Sequence, residues 1–255
     1  MLVLRKCLLL ATAAMALGLV ACGGSTPDAT LKVSAATSLK DAVTEISSTY
    51  AGGSTQLEFA GSDTIATAIR AGRRPDAFLA ASLKIPGLLA AEHLVNPPVV
   101  FARNRVVVAV KNDNDSVRSI DDLAKPGMTI AIGSPSVPIG SYADKILAAL
   151  PSATQAQIKA NVKTREPDAA SVSAKVTSGS VDAAILYQTD VKASKGALKA
   201  VQIPVALGSM TNCAASVVRG TGNETAATNF IANLLSSSSQ KTLVERGFLP
   251  APKTK

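Results

Sequence analysis

Histidine occurs once in this chain, as His93, and tryptophan does not occur at all. A lone imidazole excludes the usual transition-metal site built from several histidines and cysteines. A serine–histidine–aspartate triad would have to be built on His93, at the end of the helical segment LLAAEHLV, and is not expected. Aromatic residues make up 3% of the chain, and its formal charge of +8 is spread thinly along it. Nucleic-acid binding calls for a basic patch or a platform of stacking aromatics, and neither is present. A modest positive field is compatible with attracting anions.

Long hydrophobic runs are also missing, apart from one at the N-terminus. Arg5 and Lys6 precede the apolar stretch Leu8–Val20, which is too short to span a bilayer comfortably. The stretch ends in Leu19-Val20-Ala21-Cys22, followed by the polar, flexible Gly23-Gly24-Ser25-Thr26-Pro27. This arrangement resembles a bacterial lipobox, which implies a signal segment over residues 1–21, lipid attachment at Cys22 and a tether over residues 22–29; the other reading is an ordinary signal peptide cut nearby. Removing the first 21 of 255 residues leaves 234, enough for one large or two small domains, and lowers the charge to +6. Cys7 leaves with the signal and Cys22 is the lipid site, so Cys213 has no intramolecular disulfide partner. In the apolar context MTNCAASVV it reads as a buried strand residue, with a reactive thiol as the alternative.

Strand-like and helix-like segments alternate beyond the tether. Strands are expected at 31–36 and 55–60, helices at 38–51 and 62–71, a short strand at PDAFLAA around Asp76, and a helix ending near His93. The long β-branched run FARNRVVVAV follows, and then the pattern restarts. A short helix (SIDDLA) leads to a strand (MTIAIG), a loop (SPSVP) and a helix from Ile139 to Leu150. A strand near Val162, a helix from about Asp168 to Ser178 and the strand VDAAILY complete this half. ALKAVQIPVAL and TNCAASVV return as strands, and two helices separated at SSSS close the chain. The alternation predicts an α/β fold with parallel sheets. A long crossover, a second half and a return predict two lobes: residues 30–103 with 205–255, and residues 104–204.

Ligands on such sheets bind at the carboxyl ends of the strands. Ser38 and Ser62 each stand where an apolar strand runs into a helix, and a helix N-terminus offers free N–H groups and partial positive charge to an anion. Taken singly, either serine also fits a plain helix cap. In the second half, Pro138 suits the first turn of a helix and leaves the amides from Ile139 onward free. Ala169 falls in the first turn of the next helix, and Tyr187 ends a strand with a hydroxyl able to donate to a bound oxygen.

AATSLKDA, FAGSDTIATAI, RRPDAFLAAS, FARNRVVVAV, IGSPSVPIGSYADKIL, SGSVDAAILYQTD and the terminal SSSSQKTLVERGF occur in the order found in molybdate-binding proteins of ABC transporters. The resemblance spans roughly residues 31–250, and SVPIGSYA and LYQTD are its most specific parts. It implies a type II periplasmic-binding-protein fold whose two lobes, joined by two crossover strands, close on a tetrahedral dianion without a salt bridge. Carried over by motif, the ligand donors are the hydroxyls of Ser38 and Ser62, the amides of Ile139 and Ala169, and the phenol of Tyr187. The family usually has alanine where Ile139 stands, a change that an amide donor tolerates. Asp168 places a carboxylate beside the expected dianion site.

The resemblance further implies an extracytoplasmic protein, lipid-anchored to the cell membrane through Cys22. It delivers molybdate, or tungstate, to a membrane permease with a cytoplasmic ATPase. It acts as a monomer, carries no cofactor or free metal cation and catalyses no reaction; a binding protein for another small oxyanion, such as sulfate, is the alternative. An all-donor site suits a fully deprotonated dianion, whereas a protonated phosphate would set one O–H against a donor.

Overall fold

The computed structural model describes residues 30–252; the expected signal segment 1–21, the expected lipid site Cys22 and the expected tether 22–29 lie outside the described residues. Among the described residues, no helix is long and apolar enough to cross a membrane.

The chain begins as three parallel strands in the order β2-β1-β3: β1 (Leu31–Ala36), β2 (Thr55–Ala60) and β3 (Ala77–Ala80). Each is followed by a helix: α1 (Lys40–Ser48), α2 (Ser62–Arg70) and α3 (Lys84–Ala91). Helical spacing selects the buried faces, Ala42, Val43 and Ile46 of α1 and Ile65, Ala66 and Ile69 of α2. His93 lies exposed just past α3, in a left-handed turn (φ 57°).

Strand β4 (Val99–Lys111) changes partners along its length. As far as Arg105 it pairs antiparallel with β9 (Met210–Val217), and near Arg103 also with the short β10 (Leu249–Pro250). From Val106 onward it pairs antiparallel with β7 (Ala183–Tyr187) and β8 (Leu198–Gln202). One strand therefore belongs to two sheets. Its second part, Val106–Val110, is fully buried; each such valine contributes about 1.5–3 kcal/mol of transfer free energy. The return crossing from β8 to β9 lies beside it, where the Val106 amide donates to the Ser209 carbonyl at 2.7 Å.

The second sheet is completed by β5 (Ile130–Gly133) and β6 (Val162–Glu166), parallel to each other, with β7 parallel to β5 on its other side. Its helices are α4 (Pro138–Ala148), α5 (Ser152–Asn161), α6 (Ala169–Thr177) and α7 (Gln188–Ala193). The chain closes with α8 (Glu224–Leu234) and α9 (Ser237–Glu245); Ser236 separates them and caps α9, accepting from the Ser239 amide at 3.2 Å. Buried polar contacts fix the crossings. The Asn104 amide donates to the Thr189 hydroxyl at 2.9 Å, linking β4 to the start of α7. Asp76 accepts from the Lys32 amide at 2.7 Å, from Asn223 at 3.2 Å and from the Thr221 hydroxyl, which ties the turn before α8 to β1.

Three details depart from the expected segments. Ser38 lies in a 3-10 turn, Thr37–Leu39, and α1 begins after it at Lys40. Helices α5 and α7 stand where no helix was expected. Cys213, as expected, is a buried strand residue, in β9, and burial pushes its thiol up to about 12, so it stays protonated.

Candidate functional site

All five residues singled out in the sequence line one small cavity between the two sheets. Ser38 enters from the turn after β1, Ser62 from the start of α2 after β2, and Ala81 follows β3. From the other side come Ile139 at the start of α4 after β5, Ala169 at the start of α6 after β6, and Tyr187 at the end of β7. Every contribution sits at the carboxyl end of a strand, where α/β sheets place ligands. The cavity holds about 20 Å³ of free space, about enough for one water molecule and far below the about 300–1,000 Å³ that drug-sized ligands occupy.

The wall presents donors. In α2, α4 and α6 the first ladder bonds are made by the Ile65, Ser141 and Val172 amides, so the amides before them have no helical partner. Pro138 takes the first position of α4 and the Ile139 amide comes next. Neither serine hydroxyl caps its own helix. Instead, Ser62 Oγ accepts from the Ala81 amide at 3.2 Å, which leaves its proton free for another acceptor. Close packing sets the height of α4: a Cβ on Gly140 would lie 1.9 Å from the Ser134 carbonyl oxygen and 2.4 Å from that of Gly133.

Tyr187 is the sharpest feature. Its side chain is 1% exposed and its hydroxyl is buried without a hydrogen-bond partner. Burial, reinforced by Tyr142, Cys213 and Asp190, holds the phenol well above its ordinary range, so it remains a proton donor. An orphaned buried hydroxyl costs about 1–3 kcal/mol unless something satisfies it.

Among the described residues, no lysine, arginine or histidine lines the cavity. The one carboxylate in its wall, Asp168, caps α6 by accepting from the Ser171 amide at 2.8 Å, so its charge is partly offset by that helix N-terminus. Behind the cavity, Asp190 accepts from the Tyr187 amide at 3.1 Å and fixes the turn into α7. Burial first, then the neighbouring Asp168 and Asp41, raise its carboxyl to about 7, against the pull of the Tyr187 hydrogen bond. Asp190 stands within the LYQTD segment, but the sequence reading gave it no role. Its only local signal is the three-residue spacing of a capping box from Tyr187, a strand residue rather than a serine or threonine. Among the described residues, no group of three or more histidine, cysteine or carboxylate side chains is arranged to hold a metal ion.

Residues 31–249 match the family described as "Bacterial extracellular solute-binding protein". The molybdate-binding protein ModA of Mycobacterium tuberculosis is 29% identical, over 94% of this chain and 95% of that protein. A Clostridium difficile structure, described as the substrate-binding domain of a candidate molybdenum ABC transporter, is 28% identical with a TM-score of 0.68, covering 87% of this chain and 99% of that one. The Azotobacter vinelandii periplasmic molybdate-binding protein shares the fold with a TM-score of 0.76 at 17% identity, over 87% of this chain and 100% of that one.

Proposed function

As the chain belongs to the bacterial extracellular solute-binding protein family, we propose that its solute is molybdate, with tungstate bound comparably, and that it hands this oxyanion to the permease of an ABC importer. The observation that carries the reading is a cavity walled by free helix-start amides, two serine hydroxyls and the unpartnered Tyr187 phenol, with no cationic side chain. Oriented N–H and O–H groups replace the hydration shell of a dianion while supplying no proton acceptor beyond the capped Asp168. Ser38 and Ser62 serve as one jaw, and the Ile139 and Ala169 amides with Tyr187 as the other.

The two halves act as lobes, residues 30–103 with 205–255 closing on residues 104–204. The ligand touches both jaws only in the closed form and so shifts the open–closed equilibrium toward it. The closed form docks on the permease through the rims of both lobes, a cytoplasmic ATPase drives release, and no bond of the solute is broken. A lipid on Cys22 keeps this monomer at the outer face of the cell membrane.

Titration calorimetry with molybdate, tungstate, sulfate and phosphate tests the reading. Molybdate and tungstate are expected to bind far more tightly than sulfate, and phosphate not measurably. Sulfate binding much more tightly than molybdate would move the protein to the sulfate class.

A further inference from the structure

We propose that the oxyanion enters and leaves the cavity through one of its two mouths, the cleft between α2–α3 and α4 that Lys84 and Lys145 flank; this rests on the oxyanion reading above. Two interlobe clefts of similar size, about 520 and 500 Å³, adjoin the small cavity. The first shares Pro138 with it and continues from Ser62 to Asp63 and from Ala81 to Ser82. The second shares Thr37 and Ser38 with it. Size therefore does not choose between them.

Charge does. In the first cleft Arg70 is spent on Glu92, through two hydrogen bonds of 2.7 Å. Lys84 from one half and Lys145 from the other are exposed, and among the described residues neither makes an ion pair. They face a single carboxylate in that wall, Asp63, so the mouth is net positive. Ile85, Leu88, Pro135 and Pro138 give it apolar walls, and low-dielectric walls focus such a field. In the second cleft Arg246 is spent on Glu45 at 2.6 Å. There Glu245 is spent on Lys241 at 3.9 Å, and Lys40 and Lys192 stand against Asp41 and Asp190, so that mouth is neutral when Asp190 is ionised. A dianion is drawn to the first mouth and finds no such attraction at the second.

The test is the association rate of molybdate, followed by stopped-flow tyrosine fluorescence at pH 8, where Asp190 is ionised. At low ionic strength, about 0.01 M, the screening length is about 30 Å, and at 1 M it is about 3 Å. The double variant Lys84→Gln/Lys145→Gln is expected to slow association about five- to tenfold at low salt and to match the wild type at high salt. Release should slow less, leaving equilibrium affinity weakened at low salt only. The variant Lys40→Gln/Lys192→Gln, at the second mouth, is expected to change the rate less than twofold. Equal slowing by both pairs, or none by the first while calorimetry still shows tight molybdate binding, overturns the entrance and leaves the oxyanion reading intact. Calorimetry that finds no oxyanion binding by the wild type removes both.

Discussion

Tyr187 shows at the scale of one residue how a site is kept at a cost to the fold. Its buried hydroxyl has no partner in the protein, so on the proposed oxyanion reading deleting that oxygen removes a desolvation penalty and a ligand donor at once. Tyr187→Phe is therefore expected to leave the unliganded protein as stable or up to about 1–2 kcal/mol more stable. The same change should weaken molybdate binding by about 1.5–3 kcal/mol, the range for a hydrogen bond to a charged group. Thermal melts and calorimetry on one variant read both signs, and a loss of stability with unchanged affinity would return Tyr187 to ordinary core packing. Asp190, three residues on, gives a pH signature. Its carboxyl is raised from 3.8 to about 7 in the folded chain, chiefly by burial. The folded state then holds a proton that the unfolded state gives up. This contribution to stability is full below about pH 4 and is lost as pH rises through about 7. Denaturant unfolding at pH 5 and pH 8 should show the wild type losing stability across this window. Asp190→Asn, which can still accept from the Tyr187 amide, should show a smaller loss. Equal slopes in the two proteins would mean that Asp190 does not titrate there.

At the scale of elements, the strands were the legible part. β1 and β2 were readable to the residue because short apolar runs are bounded by Gly, Ser and Thr; β4 was readable apart from its ends because its run is continuous and β-branched. Helix α5 was not, because it buries only Ile158 and so has almost no apolar stripe to reveal it. Helix α7 has six residues and starts immediately after β7, too short for periodicity to show. The 3-10 turn at Ser38 differs from a helix start only in which carbonyl each amide bonds, and TSLKDA favours neither form. The five cavity residues could be named in advance because strand-to-helix junctions mark their addresses; Asp190 escaped because its role passes through the Tyr187 backbone. The junction between β5 and α4 is the one that tolerates least change. An added Cβ at Gly140 meets backbone oxygens, which cannot rotate away as a side chain would. Gly140→Ala must push the start of α4 off the end of β5, costing about 1–3 kcal/mol of stability as overpacking does. It should also displace the Ile139 amide from the cavity. Calorimetry should show weakened molybdate binding even where the variant is fully folded, and wild-type affinity would show that the Ile139 amide is not a donor.

At the scale of the whole molecule, the two halves are held by side-by-side crossings at β4 and Ser209, and the walls of the cavity come from both. If the halves close on the oxyanion as proposed, closure is set by how near the facing loops can come. They come near each other at Gly61, before α2, where an added Cβ would lie 3.0 Å from the Pro167 carbonyl oxygen of the other half and 2.8 Å from Asp63 Oδ1. The Asp63 carboxylate can rotate aside, but the Pro167 carbonyl is backbone. The Gly61 backbone, at φ −59° and ψ 142°, suits any L-residue, so alanine there brings no conformational strain. Gly61→Ala thus changes little except how near the halves can come at this point. A ligand that gains its full set of bonds only on closure loses affinity by whatever free energy the widened closed form has given up. The expected result is an unliganded melting temperature equal to the wild type or slightly above it. Molybdate affinity should fall about three- to thirtyfold, in keeping with about 0.6–2 kcal/mol lost across a single tight contact. Small-angle scattering with saturating molybdate should also show less compaction than in the wild type. Wild-type affinity and compaction in this variant would mean that the halves do not close through the Gly61–Pro167 approach, and the clamp would have to pivot elsewhere.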